Sequence, residues 1–173
     1  GLGLGVPQPV KMRAIPTLAW TNTEVSLDYA TSIQLRAETS STAPLVFTTT
    51  GNCHVVGDLL FADDGVGNCA VEVSVAANED FLASAVTKYF GMVKAYRPES
   101  WMTLRMNQTM QVGALNNVEV IQKTEAYYTL SVEGPCQLVN HRLFATATGD
   151  CKVTAFSPDT QYYRGYQVDQ WVH

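Results

Sequence analysis

The stretch GNCHVVGDLLFADDGVGNC, residues 51–69, decides how this chain folds. It places Cys53 and Cys69 sixteen positions apart around a short apolar hairpin, and a Gly-Asn pair comes directly before each cysteine. A disulfide that closes a loop of about 16 residues stabilises a small domain by roughly 3 kcal/mol in the chain-entropy model. Glycines beside the cysteines permit the tight turns that bring strand ends together. We therefore predict a disulfide between Cys53 and Cys69.

A second stretch, CQLVNHRLFATATGDC, repeats this pattern at residues 136–151 with one deletion. The cysteines are offset by 82 to 83 residues, and similar offsets of 81 and 82 residues relate Trp20 to Trp101 and Tyr89 to Trp171. The chain is therefore a tandem duplication, and the repeat predicts a second disulfide between Cys136 and Cys151. A four-cysteine metal site is the alternative, but the two-to-four-residue ligand spacing of such sites is missing.

The residue pattern of each repeat of about 80 residues predicts short strands separated by turns. The first repeat contains seven candidates: EVSLDYA, SIQLRAET, PLVFTTT, CHVV, LLFA, NCAVEVSVA and SAVTKYFGMVKA. Apolar side chains recur at every second position of the strand that begins at Cys69, so they face one side of a sheet. NEDFLASAVTKYF is the nearest approach to a helix, but its β-branched and aromatic end favours a turn followed by a strand. The expected fold class is all-β, with two tandem antiparallel sandwiches.

Composition excludes several classes of function. The 173 residues are 46% hydrophobic, which suffices for packed cores. The chain has 11 Lys and Arg residues but 16 Asp and Glu residues, and the resulting net charge of -5 argues against a nucleic-acid partner. No apolar run reaches the ~20 residues of a membrane helix, so we expect no membrane insertion.

The segments PLVFTTTGNCHVVGDLLFADDGVGNCAVEVSVAANEDFLASAV and YYTLSVEGPCQLVNHRLFATATGDCKVTAFSPDTQYYRGYQV carry a resemblance that covers most of residues 16–173. They resemble the immunoglobulin-like modules that bacteria and their phages string together in surface and virion proteins. The shared pattern is an aromatic strand ending in Cys, a Val-rich hairpin and a Gly-x-Cys-x-Val strand. The second repeat departs from it at Pro135 and at its end, YYRGYQVDQWVH. The resemblance implies immunoglobulin-like sandwiches that serve as spacers, adhesive arms or decorations, and it transfers no catalytic residue.

Candidate catalytic and metal-binding residues are sparse. His54, His141 and His173 do not fall at metal-ligand spacing, so a surface role is expected for each. Asp58, Asp63 and Asp64 with Gly65 offer oxygens of the kind that calcium prefers. This stretch lacks the alternation of an EF-hand loop, and the second repeat has Thr146 and Thr148 in the equivalent loop, so calcium remains the weaker interpretation. We expect no enzyme activity and no cofactor.

Two sets of residues are candidates for partner binding. The segment GLGLGVPQPV is too apolar for a solvated tail, and it contributes Leu2, Leu4, Val6 and Val10. An extended segment of this kind gains most by lying along a sheet edge of another chain. The second repeat also concentrates aromatic residues that bind sugars or proteins where they are exposed. They are Tyr127, Tyr128, Tyr162, Tyr163, Tyr166 and Trp171.

The sequence thus predicts an extended N-terminal arm at residues 1–14, one immunoglobulin-like domain at 15–96 and a second at 97–173. Pro98 interrupts the strand pattern between the two, because proline cannot donate a ladder hydrogen bond. The expected function is that of an extracellular structural protein, a subunit or decoration of a virion or bacterial surface filament, held by its arm to other protein subunits. The alternative is an adhesin fragment that binds a glycan or receptor through the aromatics of the second domain.

Overall fold

The computed structural model describes residues 11–98, 101–124 and 126–173, and every regular element in them is a β-strand. The chain divides into two compact units, of which unit 1 ends at Val93 and unit 2 begins at Lys94. No helix among the described residues is long and apolar enough to cross a membrane. The predicted all-β class is confirmed.

The described residues of unit 1, 11–93, contain nine strands. They are β1 (Leu18–Trp20), β2 (Ser26–Asp28), β3 (Ser32–Gln34), β4 (Ala37–Thr39), β5 (Val46–Gly51), β6 (Cys53–Val56), β7 (Leu59–Ala62), β8 (Asn68–Val75) and β9 (Ser84–Val93). The main sheet has the order β2-β9-β8-β5, a second sheet has the order β3-β7-β6, and β1 pairs with β4. All pairs are antiparallel except β2 with β9, which is parallel.

Unit 2 contains eight strands within residues 94–98, 101–124 and 126–173. They are β10 (Met102–Arg105), β11 (Leu115–Asn117), β12 (Glu119–Gln122), β13 (Thr129–Glu133), β14 (Cys136–Val139), β15 (Arg142–Ala145), β16 (Cys151–Ser157) and β17 (Tyr166–Val172). The sheets are β13-β16-β17, β11-β15-β14 and β10-β12, which repeat the plan of unit 1. The place of β2 is taken by a short segment in which Met110 and Gln108 exchange backbone hydrogen bonds with His173.

The alternating pattern of the sequence corresponds to burial. Cys69, Val71, Val73 and Val75 of β8 are all at most 1% exposed, as the period-two pattern predicts. Between them, outward-facing Glu72 is exposed. One face of the main sheet therefore forms the core of unit 1.

Both predicted disulfides are formed. Cys53 bonds to Cys69 with Cα atoms 5.7 Å apart, and Cys136 bonds to Cys151 with Cα atoms 6.2 Å apart. In each unit the first cysteine opens one strand of the hairpin sheet and the second lies in the central strand of the main sheet. Each bond therefore joins two sheets through the core. Two disulfides indicate an oxidising environment, as is found outside the cell.

The predicted strand SIQLRAET is divided into β3 and β4. Leu35, between them, is buried and its N–H donates to the carbonyl of Asp58, so the chain leaves the hairpin sheet there and joins β1. Ile33, Leu35 and Ala37 still face the core, although the chain changes sheet between the first and the last of them. Strand β1 was missed from the sequence because three residues are too few to show a period.

Candidate interaction surfaces

The three histidines lie at separate surface positions. Nδ1 of His54 is 2.5 Å from Oδ1 of Asp63, and the imidazole stacks on Phe61. In unit 2, Nδ1 of His173 is 2.8 Å from Oδ1 of Asp150. His141 lies beside the ring of Tyr128, with ring centroids 6.0 Å apart. Each side chain has a local partner.

The candidate calcium ligands of the β6–β7 hairpin and the loop that follows it do not converge. Asp58 accepts a hydrogen bond from Gln34, Asp63 meets His54, and Asp64 accepts from the N–H of Val66. Within residues 11–98, 101–124 and 126–173, no three His, Cys, Asp or Glu side chains form a group that could hold a metal ion.

The aromatic set of unit 2 is dispersed. Tyr128 and Tyr166 are half-buried against the core, and half-buried Tyr163 meets Trp101 with ring centroids 5.0 Å apart. The exposed members are Tyr127, Tyr162 and Trp171. Trp171 lies on β17, whereas Tyr162 lies in the loop between β16 and β17. The structure therefore divides the predicted site residues between the core and separate parts of the surface.

Trp171 belongs to the outer face of the main sheet in unit 2. Its neighbour across the strands is Lys152, whose ammonium is 5.9 Å from the indole centroid and 3.5 Å from the carboxylate of Glu133. The next row joins Thr154 to Asp169 through a 2.8 Å hydrogen bond. This face combines a large aromatic ring with charged side chains of both signs.

Unit 1 presents an aromatic ring at the equivalent position. Tyr89 of β9 is 74% exposed, and its row on the outer face continues through Ala70 to Thr50. On the last strand of each main sheet, the aromatic residue comes two positions after the residue that pairs with Glu72 in unit 1 and with Thr154 in unit 2. Tyr89 and Trp171 therefore occupy the same place in the two repeats. Both units therefore expose an aromatic side chain on the last strand of the main sheet.

A cleft of about 360 Å³ lies at one end of unit 2, beside the Cys136–Cys151 disulfide. Its apolar lining comes from Met110, Val112, Ala145, Ala147 and Val172. His173 and Gly149 also line it. Sequence reasoning missed this cleft, because its walls come from four separate segments of the repeat.

Comparison with protein-family models and with curated proteins finds no match to this chain.

The predicted arm residues Leu2, Leu4, Val6 and Val10 lie outside the described residues. The last part of the predicted arm is described and belongs to unit 1. Ala14 forms a parallel bridge with Phe81, donating to the carbonyl of Asp80 and accepting from the N–H of Leu82. Lys11 forms an ion pair with Asp80 at 2.7 Å.

The segment that opens unit 2 contains two features that the sequence did not reveal. Ala95 forms a parallel bridge with Tyr163, the counterpart of the Ala14–Phe81 bridge. Arg97 is buried, its Nη2 donates to the carbonyl of Pro158, and burial lowers the pKa of its guanidinium. The equivalent position in unit 1 is occupied by the buried Pro16. Comparison of the two repeats by residue type does not align a proline with an arginine, so the sequence did not reveal this equivalence.

Proposed function

We propose that this chain is a non-enzymatic structural and interaction protein of an extracellular assembly, a subunit or decoration of a phage virion or bacterial surface filament. In this proposal the units are two immunoglobulin-like sandwiches, and residues 1–10 attach the chain to other protein subunits.

The observation that carries the proposal is the repetition of one disulfide-linked unit with an aromatic ring at the same exposed place. Tyr89 and Trp171 each stand on the outer face of a main sheet. Exposed tyrosine and tryptophan are the side chains that contribute most to protein interfaces. Two linked modules also gain avidity without any new kind of contact. Disulfide-linked sheets suit an environment outside the cell.

The proposal is tested by quantifying the chain in purified particles or surface filaments from its natural source. We expect a fixed copy number per particle, as for a stoichiometric component. A chain that does not co-purify with any assembly, or that varies without relation to particle number, contradicts the proposal. The double substitution Tyr89→Ala and Trp171→Ala should reduce incorporation, with Thr48→Ala and Thr129→Ala on the same outer faces as the matched control.

A second candidate function is that of an adhesin fragment that binds a glycan or receptor through unit 2. It is favoured by Trp171, which is half-exposed beside Lys152. An aromatic face stacks on sugar rings, and a neighbouring cation selects acidic groups. A glycan array probed with the whole chain and with a Trp171→Ala variant tests it. Binding that disappears in the variant supports the adhesin, whereas the structural proposal expects no binding.

A further inference from the structure

One edge of the main sheet in unit 1 is open. It is formed by β5, whose one partner among the described strands is β8. Within the described part of unit 1, β5 is the longest edge strand, with six residues where the others have three or four. Proteins commonly protect such an edge with a charged side chain, a proline or a bulge. Strand β5 has none of these, and residues 39–53 contain no charged side chain.

The open side of β5 presents the backbone groups of Phe47 and Thr49. In the register of the β5–β8 pair, the N–H of Asn52 donates to the carbonyl of Asn68. Residues that exchange hydrogen bonds alternate with residues that do not in an antiparallel pair. The even-numbered residues of β5 therefore bond to β8, and Phe47 and Thr49 direct their N–H and C=O groups to the open side. Neither has a backbone partner elsewhere in the described part of the chain.

We infer that β5 pairs with β5 of a second copy of this chain, antiparallel and about a two-fold axis at Thr48. Residues directly opposite each other lie on the same face of a sheet, and successive side chains alternate between the faces. This register therefore places Val46 opposite Thr50 on the outer face and Phe47 opposite Thr49 on the core face. Phe47 and Thr49 of one copy then exchange backbone hydrogen bonds with Thr49 and Phe47 of the other.

The side chains of β5 favour a second copy as the partner. Each cross-strand pair joins a β-branched or aromatic residue to a threonine, and pairs of this kind stabilise antiparallel strands. Because β5 carries no charge, the two-fold axis brings no like charges together. Val46 is 48% exposed and Phe47 is half-buried at this edge, so both lose contact with water when the edge is covered. A strand of the same sequence therefore suits both the backbone groups and the side chains of this edge.

The equivalent edge of unit 2 is protected. Its strand, β13, is the counterpart of β5, since each pairs with the strand that contains the second cysteine of its unit. Glu133 takes the place of Thr50, and its carboxylate is 3.5 Å from Nζ of Lys152. A charged side chain on an edge strand is one of the means by which proteins block strand pairing. We therefore expect the pairing at unit 1 alone.

The pairing joins two four-stranded main sheets into one continuous sheet, with β5 next to β5 at its centre. On its outer face, the row of Tyr89, Ala70 and Thr50 continues to Val46 of the other copy. The tyrosines of both copies thus lie on one surface. A contact between equivalent strands closes on itself, so it produces a dimer. The inference goes beyond the proposed function and does not depend on it.

The first test is the oligomeric state of the full-length chain. Sedimentation velocity over a concentration series should show dimers of the unaltered chain. Thr48→Lys places two ammonium groups opposite each other at the axis, so it should shift the equilibrium toward the monomer. The side chain of Thr48 is exposed, so this variant should keep the circular dichroism spectrum of the unaltered chain.

Two controls accompany this variant. Thr48→Ala keeps the backbone bonds and adds no charge. Ser131→Lys makes the same change at the equivalent, exposed position of β13. Both should dimerise normally.

A crosslink tests the register. On the axis, Thr48 forms a pair that does not exchange hydrogen bonds, in which opposite Cα atoms are about 4.5 Å apart. This distance lies within the range of about 4.4 to 6.8 Å that a disulfide spans. Thr48→Cys should therefore form a covalent dimer under mild oxidation, visible by non-reducing electrophoresis, and Ser131→Cys should not.

Several outcomes overturn the inference. They are monomers of the unaltered chain at every concentration, a dimer that persists in Thr48→Lys, loss of the dimer in Ser131→Lys as well, and absence of the crosslink in Thr48→Cys. The proposed function fails separately. Dimers through β5 with no assembly found to contain the chain overturn only the structural role, and a chain that is incorporated as a monomer overturns only the pairing.

Discussion

Gly51 lies directly opposite Cys69 on the neighbouring strand, and it has a φ of 101°. A Cβ at this position would overlap the backbone carbonyl oxygen of Asn68. Gly134 repeats the arrangement in unit 2, with a φ of 103° and the carbonyl of Asp150 in the same place. The glycine two residues before the first cysteine of each unit is therefore required by close backbone approach at the disulfide.

Gly51→Ala should destabilise unit 1 by more than about 3 kcal/mol, because the strained φ and the overlap with Asn68 add together. Gly57→Ala is the control: Gly57 has a φ of 64°, but a Cβ there meets nothing within 4 Å. Its cost should be only the strain of a left-handed residue, about 1–2 kcal/mol. Urea unfolding of both variants measures the difference, and equal costs would contradict the role of close approach.

Each disulfide should stabilise its own unit. Replacing Cys53 and Cys69 by alanine removes a crosslink that closes a loop of 16 residues, which is worth about 3 kcal/mol. Calorimetry should show a lower transition for unit 1 and an unchanged one for unit 2. The Cys136 and Cys151 double variant should show the converse. A single transition that shifts equally in both variants would mean that the units unfold together.

Asp159 should make unit 2 sensitive to acid. Its carboxylate accepts a hydrogen bond from the N–H of Gly165 and lies 3.5 Å from Nζ of Lys94. The Gly165 hydrogen bond first, and then the charge of Lys94, lower the pKa of Asp159 from 3.8. A lowered folded-state pKa adds stability above the unfolded-state value, and this stability is lost as the pH falls through the folded-state pKa.

We therefore expect Asp159→Asn to flatten the acid dependence of the unit 2 melting temperature below about pH 4. Glu24→Gln is the comparison in unit 1, because the hydrogen bond from Asn22 lowers the pKa of Glu24. That substitution should alter the acid dependence of unit 1 alone. Unchanged acid dependence of unit 2 in Asp159→Asn would contradict the role of the loop carboxylate.

Unit 2 should fold when expressed alone under oxidising conditions, and its melting temperature should depend on the residue at which the fragment begins. A fragment of residues 94–173 retains the bonds of Ala95 to Tyr162 and Arg164, and the ion pair between Lys94 and Asp159. A fragment of residues 97–173 loses all of them. We expect both to show the circular dichroism of β-structure and the longer one to melt at a higher temperature. An unfolded 94–173 fragment would mean that the two units depend on each other.

Deletion of residues 1–10 should abolish incorporation into the assembly and leave the melting temperature unchanged. Deletion of residues 1–14 should also lower the stability of unit 1, because the backbone bonds of Ala14 to Asp80 and Leu82 are lost. Incorporation at normal occupancy after the shorter deletion would place the attachment on the units. Thermal melts and quantification of the chain in particles distinguish these outcomes.

The sequence by itself determined the parts of the molecule that depend on local period and on repetition. Alternate apolar residues after Cys69 specify which side of β8 is buried, because successive side chains of a strand point to opposite faces. The duplicated cysteine spacing gave the pairing of both disulfides, since each pair closes a short loop within one repeat. These signals are contained in neighbouring residues or in the comparison of one repeat with the other.

The tertiary structure alone decided which side chains are exposed and which residues lie beside them. In the sequence, Tyr163 and Trp171 are both aromatic residues near the end of the second repeat. In the structure, Tyr163 packs against Trp101, whereas Trp171 lies beside Lys152 on an exposed face. The cleft beside Cys136 is lined by Val112, Ala145 and Val172, which come from separate parts of the repeat. Such a cleft forms only where residues far apart in the chain share one space, and close packing of separate segments is what a linear pattern cannot express.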